Sequence, residues 1–418
     1  MKKNVCVKKL VLKILGCIVA AVVVIVAVTQ LVGYIGFRVN LEKVRAFENA
    51  GTRQLEFEAT DTGYWNIYSD DDIKVMQLTD IHIGGGPFSI GKDLKALNAV
   101  AAMITAEKPD FVIITGDLVY PIIMQSGTIN NSYGARLVAE LMESLGVYWT
   151  YTYGNHDVEA GSIYSKEEIN ELYSNYPHCF TATVEGIDGY SNRAFNIVNS
   201  DGVITRSLVL LDSHDYGPEH IAVISAQYDN IHENQVEWYK SAIVSLNEQN
   251  KKAISALPAD KQIEYAALET VPSSVYFHIP LKEYADAWAE FEQNGYKDTA
   301  DVKYNSGVAG EVVCCGDGED NLFEYMVELG STDSVFCGHD HYNYYSVNYK
   351  GINLCYGMYI DYIAYIGIKN NGSQRGCMVI TYYNDGNMDF CSENYYQDKY
   401  EPVYEKESVI MQFADVLY

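Results

Sequence analysis

Clusters of aspartate and histidine follow runs of apolar residues at several places along the 418-residue chain. Four of these clusters combine side chains that bind metal ions: Asp80-Ile81-His82, Gly116-Asp117, Gly154-Asn155-His156-Asp157 and Gly338-His339-Asp340-His341. His278 ends a fifth apolar run. A single such residue at a strand end is ordinary turn chemistry. Four clusters together indicate a shared cation site, because burying these groups without partners would cost on the order of kcal/mol each.

The elements that would position these clusters follow from the alternation of apolar runs and amphipathic stretches. Strands are predicted at residues 73–78, 111–115 and 147–151, and helices at 92–107 and 132–145. This spacing predicts parallel strands joined by crossover helices. Further strands are predicted at 203–211, 275–278 and 335–337, and a helix at 234–248. The clusters then lie at the carboxyl ends of strands, where α/β sheets place their sites.

The N-terminal region predicts a membrane anchor. Residues 14–37 carry no charge, and a helix of that length spans about 36 Å, enough to cross a hydrocarbon core of about 30 Å. Lysines are denser before this run than basic residues are after it, which predicts a cytoplasmic N-terminus and an exported remainder. The alternative is a cleaved signal peptide.

We therefore expect three parts in the chain. Residues 1–40 form a cytoplasmic stub and transmembrane anchor, 41–72 a polar connector, and 73–418 the catalytic domain, with an insertion at about 216–275. The net charge of −27 argues against nucleic acid as a partner, because the molecule repels polyanions. An anionic substrate must then be held by strong local positive charge, which bound cations can supply.

In these motifs the chain resembles the calcineurin-like metallophosphoesterases, whose pattern is DxH, GDxx, GNHD or GNHE, a single His, and GHxH. The stretches Gln235-Val236-Glu237-Trp238 and Phe277-His278-Ile279-Pro280 further resemble a purple acid phosphatase-like branch. The resemblance covers about two thirds of the chain and implies an α/β (α+β) fold: a four-layer αββα sandwich of two mixed sheets flanked by helices.

The resemblance also implies a ligand set for two metal ions. Asp80, His82, Asp117 and His341 would hold one metal, and Asp117, Asn155, His278 and His339 the other. A shared carboxylate can bridge cations about 3.5 to 4 Å apart, with a hydroxide between them as the nucleophile. Mixed imidazole, carboxylate and amide ligands favour Fe, Mn or Zn over Ca or Mg.

Two residues of the third cluster remain for catalysis. His156 is the candidate general acid at the leaving oxygen, and Asp157 would orient its imidazole or, equally, cap the following loop. Tyr120 stands where purple acid phosphatases carry a tyrosinate ligand, but His82 would fill the same position. We therefore expect Tyr120 to lie beside the metals without binding them.

The predicted function is metal-dependent hydrolysis of phosphate esters, most simply phosphomonoesters, outside the cytoplasm. The partners would be the membrane and a small phosphorylated substrate or phosphoprotein. Phosphodiester hydrolysis on the same centre is the first alternative. A tethered surface module with a structural metal site is the second, although structural sites are usually closed.

Overall fold

A computed structural model describes residues 2–61, 63–220, 227–318, 320–365, 375–404 and 406. Over these residues the strands are β1 (Glu56–Asp61), β2 (Tyr64–Tyr68), β3 (Ile73–Leu78), β4 (Phe111–Thr115), β5 (Trp149–Thr152), β6 (Arg193–Val198), β7 (Ile204–Leu210), β8 (Ser273–Tyr276), β9 (Val302–Ser306), β10 (Thr332–Cys337), β11 (Ser346–Tyr349), β12 (Ile352–Tyr356), β13 (Gly376–Tyr382) and β14 (Met388–Asn394). The α-helices are α1 (Lys2–Val44), α2 (Ile90–Glu107), α3 (Ile123–Ser126), α4 (Asn131–Leu145), α5 (Lys166–Tyr173), α6 (Glu233–Ser255), α7 (Ala259–Glu264), α8 (Lys282–Gln293) and α9 (Leu322–Leu329).

The smaller sheet has five strands in the order β14-β13-β3-β4-β5. Its strands β3, β4 and β5 pair in parallel through α2 and α4, as predicted, and β13 and β14 add antiparallel. The bounds of β3 and β4 equal the predicted ones. Strand β5 begins later than predicted, because the Val147 N–H still bonds to the Met142 carbonyl in the turn that closes α4.

The larger sheet has nine strands in the order β1-β2-β6-β7-β8-β10-β12-β11-β9. Strands β7, β8, β10 and β12 are parallel neighbours, so their carboxyl ends share one edge. Strand β11 returns antiparallel to β12 through a two-residue turn at Lys350 and Gly351, both with positive φ.

Three hydrophobic clusters show how the layers stack. One lies between the two sheets and joins Val75 and Ile113 to Leu208 and Phe336. A second packs α2 and α4 on the outer face of the smaller sheet, and a third packs α6, α8 and α9 on the outer face of the larger sheet. Each fully buried aliphatic side chain contributes about 1.5–3 kcal/mol. The expected four-layer αββα sandwich is confirmed.

Residues 41–72 contain more structure than a connector requires. Strands β1 and β2 form a hairpin, and β2 pairs in parallel with β6, with Ile67 opposite Ile197. Phe57 packs within 4.3 Å, centroid to centroid, of Phe180. The sequence pattern did not predict this hairpin, because its apolar residues Phe57 and Ile67 lie among charged and polar neighbours.

Helix α1 is continuous from the apolar segment into the folded domain. Its segment Leu10–Val44 has a mean hydropathy of 3.0 in the most apolar window, and none of that window is buried. The helix is therefore long and apolar enough to cross a membrane, a property that an N-terminal signal sequence shares. Its last turns pack on the domain: Phe37 stacks on Tyr133 at 4.4 Å, and Asn40 Nδ2 donates to the Ile90 carbonyl at 2.8 Å.

Candidate metal centre

The metal-ligating clusters meet where strands of both sheets end. The smaller sheet supplies the residues that follow β3, β4 and β5, and the larger sheet supplies those that follow β8 and β10. The two edges are in contact, because a Cβ on Gly338 would overlap Thr79 Oγ1. All seven predicted ligands are buried there: Asp80, His82, Asp117, Asn155, His278, His339 and His341.

Asp117 lies between the two sheets. Its Oδ2 is 3.3 Å from Nε2 of His82 and 3.3 Å from Nε2 of His278. Its Oδ1 accepts the backbone N–H of His156 at 2.8 Å, which fixes the orientation of the carboxylate. One oxygen thus faces imidazoles from both sheets, the arrangement a bridging carboxylate requires.

Asp80 organises the second half of the centre. Its Oδ1 is 3.1 Å from Nε2 of His341 and 3.5 Å from Nε2 of His82. Its Oδ2 accepts the Thr79 hydroxyl at 2.7 Å and the His339 backbone N–H at 3.0 Å, so Oδ1 is left for a ligand. Two triads have ligand atoms within 4.8 Å of one another: Asp80, His82 and His341, and Asp80, Asp117 and His278.

Asn155 and His339 join the same centre less directly. Asn155 Oδ1 lies 3.2 Å from His278 Nε2, while its Nδ2 donates to the Tyr216 hydroxyl at 3.1 Å. The amide oxygen therefore faces the centre. The His339 ring lies 5.1 Å from the His278 ring, centroid to centroid, and belongs to neither triad.

Charge in the centre is set by the two carboxylates. Burial opposes ionisation of Asp117, but His278 and His156 hold its pKa well below the usual value. Burial likewise opposes charge on Asp80, whose pKa His341 keeps low. Against their own burial, His278 beside Asp117 and His341 beside Asp80 have their pKa raised to about 9. The carboxylates thus draw positive charge inward, which bound cations would supply.

His339 behaves differently from the other imidazoles. Burial and the charge on His278 lower the pKa of His339 to about 3. Its imidazole is therefore neutral near pH 7, the form that coordinates metal.

The backbone at the centre is strained. Four of the ligand residues have left-handed φ values, with Asp80 at 52°, His82 at 53°, Asp117 at 53° and His339 at 78°. Non-glycine residues rarely adopt this region, and each costs on the order of 1–3 kcal/mol. Such strain concentrates at functional sites, where the surrounding contacts hold it in place.

The donor set fits metal ions. Three buried imidazole nitrogens make no hydrogen bond within the described part of the chain: Nδ1 and Nε2 of His82, and Nδ1 of His341. A buried imidazole nitrogen without a hydrogen bond is costly, and a cation at the triad of Asp80, His82 and His341 would reduce that cost. Nitrogen and oxygen donors from five chain segments match two transition-metal ions of the kind of Fe, Mn or Zn.

The His156 imidazole lies at the rim of the centre, 5.5 Å from the His82 ring. Its Nδ1 is 2.5 Å from Glu159 Oε1, a partner that sequence reasoning missed. Asp157 instead accepts the backbone N–H groups of Asp117, Val119 and Gly154 at 2.7–3.0 Å. The Asp157 carboxylate therefore ties two ligand loops together, and it is Glu159 that contacts the imidazole. The sequence feature that could have indicated this contact is that Glu159 lies three residues after His156.

Two more aspartates support the ligands. Asp361 Oδ2 lies 3.6 Å from His341 Nδ1, while Oδ1 accepts the N–H of Ile363 at 2.6 Å. Burial opposes its charge, but His341 and His82 hold the pKa of Asp361 below its usual value. Asp93 accepts the N–H groups of Gly84 and Gly85 and so occupies the donors of the glycine turn. The sequence signal for Asp361 is that it is the one charged residue among residues 351–368.

Tyr120 lies beside the ligands, as expected. Its ring is 4.9 Å from the His82 ring and 4.8 Å from the His156 ring. Burial raises the pKa of Tyr120, which keeps the hydroxyl protonated. Tyr216, on the far side of His156, donates to Glu159 Oε1 at 3.1 Å and thereby links the loop after β7 to the rim.

A second histidine cluster, which we call the stacked-histidine cluster, comprises His214, Asp229 and His232. Its ligand atoms also lie within 4.8 Å of one another. The two imidazoles stack at 3.9 Å with an interplanar angle of 18°. His232 pairs with Asp188 at 2.7 Å and with Asp229 at 3.3 Å, and His214 Nε2 lies 2.9 Å from Gln235 Oε1.

Comparison with known proteins places the chain in one family. A probable inactive purple acid phosphatase 14 of Arabidopsis thaliana is 28% identical over 346 residues, which are 77% of this chain and 76% of that protein. Phosphatase DCR2 of Saccharomyces cerevisiae is 28% identical over 335 residues, 74% of this chain and 51% of that protein.

Among solved structures, a dimetal phosphatase from Danio rerio aligns with a TM-score of 0.47 and 10% identity, covering 78% of this chain and 98% of that one. The calcineurin-like phosphoesterase family model matches residues 73–343, and this span contains every ligand described above. The chain is a member of the calcineurin-like phosphoesterase family.

Proposed function

We propose that this protein hydrolyses phosphate esters, phosphomonoesters first among them, at the centre formed by the two triads. The observation that carries the proposal is the convergence of buried imidazole nitrogens on the carboxylates of Asp80 and Asp117, with Nε2 of His82 3.5 Å from one and 3.3 Å from the other but hydrogen-bonded to neither. The relatives' names point both ways, since one is called a phosphatase and another probably inactive. The proposal therefore rests on the ligand set of this chain.

Seven residues would hold the metal ions: Asp80, His82, Asp117 and His341 one, and Asp117, Asn155, His278 and His339 the other. Metal ions bound there would supply Lewis acidity towards water and towards the phosphoryl oxygens. The chain's net charge of −27 makes such local positive charge a requirement for binding a phosphate.

His156 is the proposed proton donor to the leaving oxygen. Its side chain is 23% exposed, so it can reach both the ligands and a substrate at the rim. With Nδ1 held by Glu159, Nε2 on the opposite side of the ring is left for the leaving group. Glu159 thus takes the orienting role that sequence reasoning gave to Asp157.

We further propose that α1 remains as a single membrane span and that the domain lies outside the cytoplasm. The packing of Phe37 and Asn40 on the domain supports this, because signal cleavage within the apolar run would cut a continuous helix whose last turns pack on the domain. The substrate would then be an exported small phosphoester or phosphoprotein.

Turnover by the purified full-length protein tests the proposal. We expect hydrolysis of p-nitrophenyl phosphate that chelation abolishes and that Mn²⁺ or Zn²⁺ restores. Faster turnover of bis-p-nitrophenyl phosphate would make the protein a phosphodiesterase. Bound metal without turnover of either substrate would instead support a structural metal site in a surface module.

A further inference from the structure

Two loops beside the metal centre carry no charge, in a chain of which 20% is charged. They are residues 83–91, which follow the candidate ligand His82 and reach the start of α2, and residues 118–135, which follow the candidate ligand Asp117 and include α3 and the start of α4. The three most exposed large apolar side chains of these segments are Phe88, which is 60% exposed, Ile123, 59%, and Met124, 87%. We call these three the apolar rim. Exposed apolar side chains that lie together, unlike single ones, are typical of an interaction surface.

The two loops form one surface. The Phe88 N–H donates to the Ser126 carbonyl at 3.0 Å, and the Tyr120 N–H donates to the Ile83 carbonyl at 3.0 Å. Gly127, at the end of α3, has φ of 80° and lets the Phe88 ring approach its backbone. The apolar rim is therefore held on hydrogen-bonded backbone.

Helix α1 docks against the same loops. A Cβ on Gly33 would lie 3.0 Å from Pro87 Cδ, and one on Gly36 would overlap Ile90. These glycines let α1 approach closely, so the height of the rim along the helix axis is known. Pro87, next to Phe88, lies level with Gly33.

That height coincides with the edge of a bilayer. The uncharged run at residues 14–37 is about 36 Å long, and Gly33 lies four residues, or about 6 Å, before its end. The remaining length of about 30 Å equals the thickness of the hydrocarbon core. Tyr34 and Phe37 stand where aromatic residues gather at a membrane interface.

Basic residues lie just beyond this level, on the side away from the apolar segment of α1. Arg38 follows Phe37, Lys92 follows Ile90, and Arg136 lies one turn after Tyr133; all three are exposed. In a protein with a net charge of −27, exposed basic residues at this level suit anionic headgroups.

We infer that the apolar rim enters the interface of the bilayer that α1 crosses and presents the metal centre to phosphate esters carried by lipids. Phe88 is six residues from the candidate ligand His82, and Ile123 is six residues from the candidate ligand Asp117. At up to about 3.6 Å per residue, these two side chains lie within about 22 Å of the rim, which limits how far a headgroup phosphate would have to reach. The substrate class rests on the function proposed above; the membrane contact requires only the anchor.

The contact can be measured on the full-length protein in nanodiscs. Phe88→Trp should lose fluorescence, relative to the wild-type background, when the lipid is phosphatidylcholine brominated on its acyl chains. Ile263→Trp is the matched control, because Ile263 on α7 is 79% exposed and distant in the fold. Quenching confined to Trp introduced at 88 supports the contact. Equal quenching at both positions, or no quenching at either, overturns the contact. No quenching is also the result expected if the rim binds a protein instead of lipid.

Turnover tests the substrate class. Met124→Glu should lower hydrolysis of phosphatidic acid in phosphatidylcholine vesicles about tenfold, the effect of withdrawing one large apolar side chain. It should leave p-nitrophenyl phosphate turnover unchanged, and Ile263→Glu should change neither rate. Equal loss on both substrates, or no loss on the lipid, overturns the inference. Absence of p-nitrophenyl phosphate turnover in the wild type is failure of the proposed function, and the quenching result then still decides the contact.

Discussion

The candidate metal centre and the stacked-histidine cluster contain the same kinds of residue at the same mutual distances, yet they differ in burial and in hydrogen bonding. Each holds His and Asp ligand atoms within 4.8 Å of one another. The centre is buried, whereas the members of the stacked-histidine cluster are partly exposed. Both ring nitrogens of His82 and Nδ1 of His341 lack hydrogen bonds, whereas His214 and His232 have Gln235, Asp188 and Asp229 as partners.

The orientation of the imidazole rings also differs between the two clusters. A cation lies near the plane of each imidazole that binds it, at about 2.1 Å from nitrogen. The rings of His82 and His341 meet at 67°, so their planes cross and both nitrogens can face one point. The rings of His214 and His232 are nearly parallel, at 18°, and share no such point. Proximity of ligand atoms is thus a weaker sign of a metal site than unsatisfied atoms that converge.

The strongest test of this contrast is removal of the bridging carboxylate. Asp117→Ala should lose metal from both positions and reduce turnover to background, because Oδ2 of Asp117 faces imidazoles of both halves. Metal content per chain and p-nitrophenyl phosphate turnover are the measurements. Asp229→Ala is the matched control and should keep both; loss of metal in that variant would contradict the contrast.

Removal of the proton donor should separate catalysis from metal binding. His156→Ala should lower kcat by about 10²–10⁴ while metal content stays unchanged, since the imidazole contacts Glu159 and belongs to neither triad. Steady-state kinetics with metal analysis of the same preparation measures both. Unchanged kcat would take His156 out of the mechanism.

A smaller effect is expected from the partner of that imidazole. Glu159→Gln should lower kcat about tenfold with little change in KM, because the carboxylate orients His156 and does not bind the metals. Asp157→Asn serves for comparison: it weakens three backbone hydrogen bonds and should lower the thermal midpoint. Loss of kcat only in the Asp157 variant would restore the orienting role to Asp157.

The smallest effect belongs to the stacked-histidine cluster. His232→Ala should leave metal content and kcat unchanged and lower the free energy of unfolding by no more than about 1 kcal/mol, the usual value of exposed ion pairs. Thermal denaturation with and without chelator checks this, because chelation should shift the midpoint of wild type and variant equally. A variant that no longer responds to chelator would indicate a metal at His232.

The family, the layered fold and the candidate ligands were predictable from sequence because each depends on local order. An apolar strand followed by Asp or His specifies both the strand and the residue at its end, and crossover helices bring those ends to one edge. Strands β3 and β4 were therefore predicted to the residue, and the candidate ligands Asp80 and Asp117 lie two residues after them.

Other features depended on contacts between distant segments. Glu159 faces His156 only because the loop after β5 turns back, Asp361 meets His341 across separate loops, and β2 pairs with β6 across about 130 residues of chain. Neither the periodicity of apolar residues nor the spacing of motifs predicts contacts between segments that are distant in the chain. Sequence alone indicated which residues have side chains that could bind metal. Tertiary structure decided in which of the two histidine clusters the ligand atoms face a common point, and how α1 packs against the segments beside the centre. Both depend on packing, which sets the orientation of the rings and the docking of the helix.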